Sequence, residues 1–343
     1  MKVLVIGPSW IGDMVMAQSL FRCLQAKNPQ IIIDVLALDW TRELLGRMPE
    51  VNKAIAMPIG HGELAINKRR QLGKALQAEA YQQAIVLPNS FKSALIPFFA
   101  KIPLRTGWRG EARSWLLNDC RSLDKQLYPL MVQRFAALAL PEKEALPTPL
   151  LWPSLKVSPD IKVIIDKFKL ALTRPVIIFC PGAEFGPSKK WSESHFAKVA
   201  DALINEGKQI WLMGSKNDSQ TAKNIIATIQ PEHCKHIVSL AGLTSIGEAI
   251  DLMSLAHAVV SNDSGLMHIA AALNKALVVI YGSTSPEFTP PLSERVAILN
   301  LNLPCSPCFK RECPLGHLDC LNQLAPRLVL DAVRKILQQL DEI

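Results

Sequence analysis

Short apolar runs of strand length alternate with longer stretches of helical periodicity along almost the whole chain, and few folds accept that alternation. In the first half, residues 2–7, 31–38, 54–59 and 83–88 read as strands, and 12–27, 64–80 and 129–140 as helices. Pro141, Pro147, Pro149, Pro153 and Pro159 then interrupt regular structure and read as a linker. After them the pattern restarts. Strands are expected over 176–180, 209–214, 236–240, 258–262 and 276–281, and helices over 194–206, 219–229, 245–256, 265–273 and 327–340. Strand–helix–strand alternation builds a parallel sheet covered by helices on both faces. Repeated, it predicts two doubly wound, Rossmann-like α/β domains, 1–150 and 151–343, facing a central cleft. The last helix could pack back on the first domain. A length of 343 residues agrees, at about 150 residues per domain.

Composition narrows the class. Hydrophobic residues make up 49% and charged residues 20%, which excludes disordered, collagen-like and coiled-coil chains. No stretch reaches the about 20 apolar residues of a membrane span. The opening Met1–Gly7 run is too short for a secretory signal, so a cytoplasmic protein is expected. The net charge of +8 is uneven. Residues 1–150 carry 19 Lys and Arg against 12 Asp and Glu, +7, and residues 151–343 carry 19 against 18, +1. Nine basic residues fall between Lys68 and Arg113, with only Glu79 and Glu111 to offset them. Such an excess fits an anionic partner: nucleic acid, a phosphorylated substrate or an acidic membrane surface.

In doubly wound sheets ligands bind beyond the carboxyl ends of the strands, so the strand-end sequences are the candidate sites. The first strand runs into Gly7-Pro8-Ser9-Trp10-Ile11-Gly12-Asp13, which lacks the spacing of a dinucleotide fingerprint. Asp13 there is either a helix-capping acid or a general base. The fourth strand ends in Pro88-Asn89-Ser90-Phe91-Lys92-Ser93, suited to a polar, anionic ligand or to a solvated cap at Ser90. Arg105, Arg109 and Arg113 flank Trp108 and can recognise phosphate or carboxylate. In the second half, Cys180-Pro181-Gly182-Ala183-Glu184 leads to Lys189, Lys190 and Trp191. Gly182 there permits close approach to a ligand, and the lysines offer charge to a leaving phosphate. Asn262-Asp263-Ser264-Gly265 opens a small-residue helix whose first amides form an anion site, with His268 one turn in.

Four cysteines, Cys305, Cys308, Cys313 and Cys320, cluster late around His317. They are free thiols of a surface loop or the ligands of a structural zinc or iron–sulfur site that would brace the loop.

Taken in order, six segments resemble the ADP-heptose:lipopolysaccharide heptosyltransferases, glycosyltransferase family 9. They are Ile6–Asp13, Leu87–Ala94, Arg105–Gly110, Cys180–Gly186, Asn262–His268 and Tyr281–Leu292. The resemblance covers nearly the whole chain. It implies a GT-B fold and inverting transfer of L-glycero-D-manno-heptose from ADP-heptose to the first heptose of the lipopolysaccharide inner core, a lipid A–Kdo–heptose acceptor. No cofactor and no metal are implied. The family's catalytic aspartate falls on Asp13 and its donor-binding lysine on Lys189. Its Asp-(Ser/Thr)-Gly-x-x-His segment falls on Asp263, Ser264, Gly265 and His268, and Thr244 matches a position near the adenosine. Gly182, Ala183 and Glu184 complete the implied donor site, although Ala183 and Glu184 stand where relatives carry paired threonines. Ser9, Trp10, Asn89, Ser90, Lys92, Arg105, Arg109 and Arg113 form the implied acceptor site. The four-cysteine loop occurs only in some members. The resemblance implies a partner at the inner leaflet of the inner membrane and no nucleic acid. The remaining alternatives are a relative acting on a different core acceptor and, more remotely, a basic nucleic-acid-binding protein.

Overall fold

The computed structural model describes residues 1–60 and 62–341. The chain divides into two compact units, Met1–Leu155 and a second beginning at Lys156. The division lies five residues beyond the expected position, because the proline-rich segment is fastened to the first unit. The side-chain amide of Gln18 accepts from Ser154 N (2.9 Å) and donates to its carbonyl (2.7 Å).

The first unit begins with β1 (Lys2–Ile6), α1 (Ile11–Lys27), β2 (Ile32–Ala37), α2 (Asp39–Leu45), β3 (Val51–Ala56) and α3 (Ile66–Leu76). It continues with β4 (Gln83–Val86), α4 (Phe91–Phe99), β5 (Leu104–Trp108), β6 (Asp119–Arg121) and α5 (Met131–Ala137). Its six strands are parallel, in the order β3-β2-β1-β4-β5-β6. β1 and β4 read as apolar runs because helices cover both faces, and every β4 residue is buried. Four elements escape the sequence pattern: α2, α4, β5 and β6. β5 reads Leu-Arg-Thr-Gly-Trp, with no apolar run, and β6 has three residues at the sheet edge. Pro97 disguises α4, but it sits in the helix's last turn, where little ladder remains to break.

The second unit comprises α6 (Ile161–Lys167), β7 (Val176–Cys180), α7 (Glu193–Asn205), β8 (Gln209–Leu212), α8 (Ser219–Thr228) and β9 (Ile237–Ser239). After these come α9 (Ile246–Ser254), β10 (Ala258–Asn262), α10 (Gly265–Ala272), β11 (Ala276–Ile280), β12 (Val296–Leu299), α11 (Asp319–Asn322) and α12 (Pro326–Asp341). Its sheet, also parallel, has the order β12-β11-β10-β7-β8-β9. Every residue of β7, β8, β10 and β11 is buried. Trp191 sits in the core beside Phe196, rings edge-on at 4.9 Å, and its indole N–H donates to Leu324 O (2.9 Å). The helix expected over 327–340 is α12. Its Val329, Val333 and Ile336 belong to this unit's own core.

Counted within each unit, both sheets have the winding 3-2-1-4-5-6. The strand order reverses between β1 and β4 in the first and between β7 and β10 in the second. Chains leaving a reversal point diverge to opposite faces and open a crevice beyond the strand ends. Those four strand ends carry four of the six segments singled out above: Ile6–Asp13, Leu87–Ala94, Cys180–Gly186 and Asn262–His268. Among the described residues no helix is long and apolar enough to cross a membrane.

Candidate functional site

At the first unit's reversal point a cavity of about 620 Å³ opens. The β1–α1 turn lines it with Ser9, Trp10 and Asp13, and the β4–α4 turn with Asn89, Ser90 and Lys92. Asp13 is the third residue of α1, whose N-cap, Trp10, makes no side-chain capping bond. The carboxylate lies in the first turn, where the helix dipole favours negative charge, and also borders the cavity. Position serves both readings of Asp13 at once.

Ser90 is the N-cap of α4, but its hydroxyl makes no capping bond. The Glu111 carboxylate does so instead, accepting from Phe91 N at 2.7 Å. Glu111 also lines the cavity, as do Arg69, Trp108 and Arg134. Sequence reasoning left Glu111, Arg69 and Arg134 out of the site, since nothing local marks a residue 20 positions away as the cap of a helix.

The three arginines around Trp108 part company, and none of them is in the cavity lining. Arg113 is completely buried. It donates to the carbonyls of Pro88 and Trp108 (2.6 Å to the latter), to Ser93 Oγ (3.2 Å) and to Asn89 Oδ1 (3.0 Å). Arg105 donates to Leu116 O (2.6 Å) and Ile102 O (2.5 Å). Neither borders the cavity: both guanidinium groups are engaged with backbone carbonyls, and Arg113 also with the side chains of Ser93 and Asn89. Arg109 is exposed and lies outside the cavity lining.

At the second unit's reversal point, Lys189 and Asp263 form an ion pair, Nζ to Oδ2 at 2.6 Å. Asp263 is buried, and its Oδ2 also accepts from Thr284 Oγ1 at 2.5 Å. The Lys189 ammonium lies 5.0 Å from the centre of the Phe185 ring. Carboxylate, hydroxyl and ring therefore hold one cationic group at the strand ends. Thr284 was visible in the sequence only as part of the Tyr281–Leu292 segment. Asn262, at the end of β10, donates to Pro181 O (2.7 Å) and accepts from Trp191 N (3.2 Å), tying the two turns together.

His268 is buried, and burial pushes its pKa down to about 4; Lys189 reinforces the shift and Asp263 opposes it. The imidazole is neutral at physiological pH. Ser264, the N-cap of α10, makes no side-chain capping bond, so its hydroxyl occupies none of the first amides of Gly265–Ala272. Thr244 is half-buried next to Ser245, which caps α9 in a reciprocal box with Glu248.

Gly182 lies against a protein carboxylate. A Cβ there would collide with the buried carboxylate of Asp218. Asp218 in turn accepts from Ser215 N (2.9 Å) and Ser215 Oγ (2.8 Å). Gly182 thus admits a protein carboxylate that fixes the β8 turn. Ala183 is buried, and the exposed Glu184 accepts from Ser215 Oγ (2.8 Å) and Asn217 Nδ2 (3.3 Å).

The four late cysteines are free thiols. With His317 they border one cavity of about 20 Å³, yet among the described residues no three His, Cys, Asp or Glu side chains are placed to hold a metal ion. The backbone amides of Leu318, Leu315, Gly316 and His317 surround Cys313 and lower its pKa. The loop leans on the Lys189 turn. Arg311 O accepts from Ser188 N (3.2 Å), and Phe309 N donates to Ser283 O (2.7 Å).

Residues 69–319 match the model of glycosyltransferase family 9 (heptosyltransferase). Lipopolysaccharide heptosyltransferase 2 of Escherichia coli K12 is 51% identical over 345 residues, covering 99% of each chain. Lipooligosaccharide heptosyltransferase 2 of Haemophilus ducreyi is 52% identical over 313 residues, covering 88% of this chain and 89% of its own. The solved structure of E. coli ADP-heptose lps heptosyltransferase II is 48% identical, with a TM-score of 0.91 over 99% of this chain and 100% of that one. The expected GT-B architecture, two parallel α/β sheets, is the one found. This chain belongs to glycosyltransferase family 9, the heptosyltransferases.

Proposed function

We propose that the protein transfers L-glycero-D-manno-heptose from ADP-heptose to the first heptose of the lipopolysaccharide inner core, working at the inner leaflet of the inner membrane. The observation that carries this reading is kinship at about half identity over both units with heptosyltransferases 2. The cavity of the first unit has the volume of a small saccharide site. The second unit offers a held cation and a helix N-terminus suited to a diphosphate.

In this reading Asp13 takes the proton of the acceptor hydroxyl as that oxygen attacks the anomeric carbon from the face opposite ADP. The C–O bond to the diphosphate breaks, and the growing negative charge is met by Lys189 and the amides at Ser264–Gly265. Asp263 and Thr284 position the Lys189 ammonium. Neutral His268 contributes a hydrogen-bonding group without adding charge beside that lysine. The contacts of Ser9, Trp10, Asn89, Ser90 and Lys92 are assigned to the acceptor, and those of Ala183, Glu184 and Thr244 to the donor.

The deciding experiment incubates the protein with ADP-heptose and core acceptors truncated after Kdo, after one heptose and after two, and reads product masses. Extension of the one-heptose acceptor alone is expected. Extension of only another acceptor would overturn the assignment. The anomeric configuration of the product, read by NMR, tests inversion, and turnover after chelation tests independence from metal.

A further inference from the structure

The structure assigns one face of the first unit to an anionic bilayer. The assignment rests on the proposed reading, in which the acceptor is anchored in lipid. α3 and α4 pack closely: a Cβ on Gly73 would lie 2.6 Å from Phe99 Cβ and 2.8 Å from Ile96 O. Along α4, Phe91 and Phe99 pack against the core, whereas Phe98 stays at the surface. Phe98 and Trp115 meet edge-on, centroids 5.8 Å apart at 76°, and Phe91 adds a second contact to Trp115 at 6.1 Å. Trp115 is nevertheless 63% exposed, Phe98 37% and neighbouring Leu104 40%. Apolar surface left in water beside the end of a helix is suited to a partner that is itself apolar.

Charge identifies the partner. Arg105 places its guanidinium 5.9 Å from the Phe98 ring centre, exposed Lys101 follows the end of α4 by two residues, and exposed Lys74 stands on α3 next to Gly73, the residue that packs on Phe99. The two acids of the 68–113 stretch are already engaged. Glu79 pairs with Lys2 and with Lys53 (3.2 Å), and Glu111 caps α4. Indole and phenyl rings rimmed by uncompensated cations match the interface of a bilayer carrying anionic headgroups. A nucleic acid would answer to the same cations.

The test uses the full chain with vesicles of phosphatidylcholine alone and vesicles enriched in phosphatidylglycerol, at about 0.15 M salt. Trp115→Ser and the double variant Lys74→Glu with Lys101→Glu lie outside the cavity lining, and thermal melts verify their folding. The wild-type protein should sediment with anionic vesicles only. Each variant should lose about tenfold or more of that partitioning. Turnover of a water-soluble one-heptose acceptor should remain at the wild-type level, while turnover of the same acceptor embedded in vesicles falls in step with binding. Wild-type partitioning in both variants, or displacement from vesicles by duplex DNA, would overturn the assignment. A protein that binds anionic vesicles through these residues but transfers heptose to no acceptor would instead overturn the enzymatic reading alone.

Discussion

Asp13 stands both in the first turn of α1 and on the cavity wall, and a substitution that keeps its shape separates the two roles. Asp13→Asn keeps the shape and removes the base. We expect turnover to fall about 10²–10⁴-fold with little change in melting temperature, as measured by steady-state kinetics and calorimetry. Lys189→Ala should weaken ADP binding in calorimetric titration and slow turnover as well, because it also leaves buried Asp263 without its cation. His268 makes a separate prediction. Its folded pKa, about 4, lies below the 6.5 of the unfolded chain, so below pH 6.5 the unfolded state takes up the proton first. Stability is intact above pH 6.5 and declines as pH falls, by on the order of 3 kcal/mol at pH 4. His268→Gln should flatten that part of the pH–stability curve. The strand-end places of Asp13, Lys189 and Asp263 were readable from sequence because each falls in the segment that follows an apolar run. Arg113 was not. Nothing in the string Arg105–Arg113 tells that one arginine is sealed beneath a loop while Arg109 faces solvent.

At the level of elements, the turns between strands and helices decide where the functional groups stand. Arg113 holds the carbonyls of Pro88 and Trp108 under the Asn89–Lys92 turn. Arg113→Ala should cost about 2–4 kcal/mol in denaturant unfolding and impair activity through loss of folded protein. Gly182→Ala should destabilise the second unit by about 1–3 kcal/mol, because Asp218 cannot move without releasing the β8 turn. Among the cysteines, Cys313 should be alkylated first, as amides stabilise its thiolate, whereas burial raises the pKa of Cys23, Cys180 and Cys320. Mass mapping after brief iodoacetamide treatment checks the order. Central strands announced themselves through continuous apolar runs. α2, β6 and β12 are short or lie at margins, where burial imposes no such pattern.

Across the whole molecule, the charge asymmetry and the repeated winding carry the most information. The +7 of residues 1–150 could be counted before any fold was known, but its meaning depended on which acids were already engaged. The two reversal points lie in separate units, so their substrates should respond separately. Donor-site changes such as Lys189→Ala should alter ADP affinity, whereas Asp13→Asn should leave it within about twofold, since no donor contact is removed.

The duplicated 3-2-1-4-5-6 winding has one more consequence. The same topological address recurs with opposite sign: a carboxylate after the first strand of one sheet, an ammonium after the first strand of the other. A condensation that sheds a proton at one end and an anion at the other needs just such a polarised pair. A fold repeated without its chemistry repeated provides both poles from a single architectural plan.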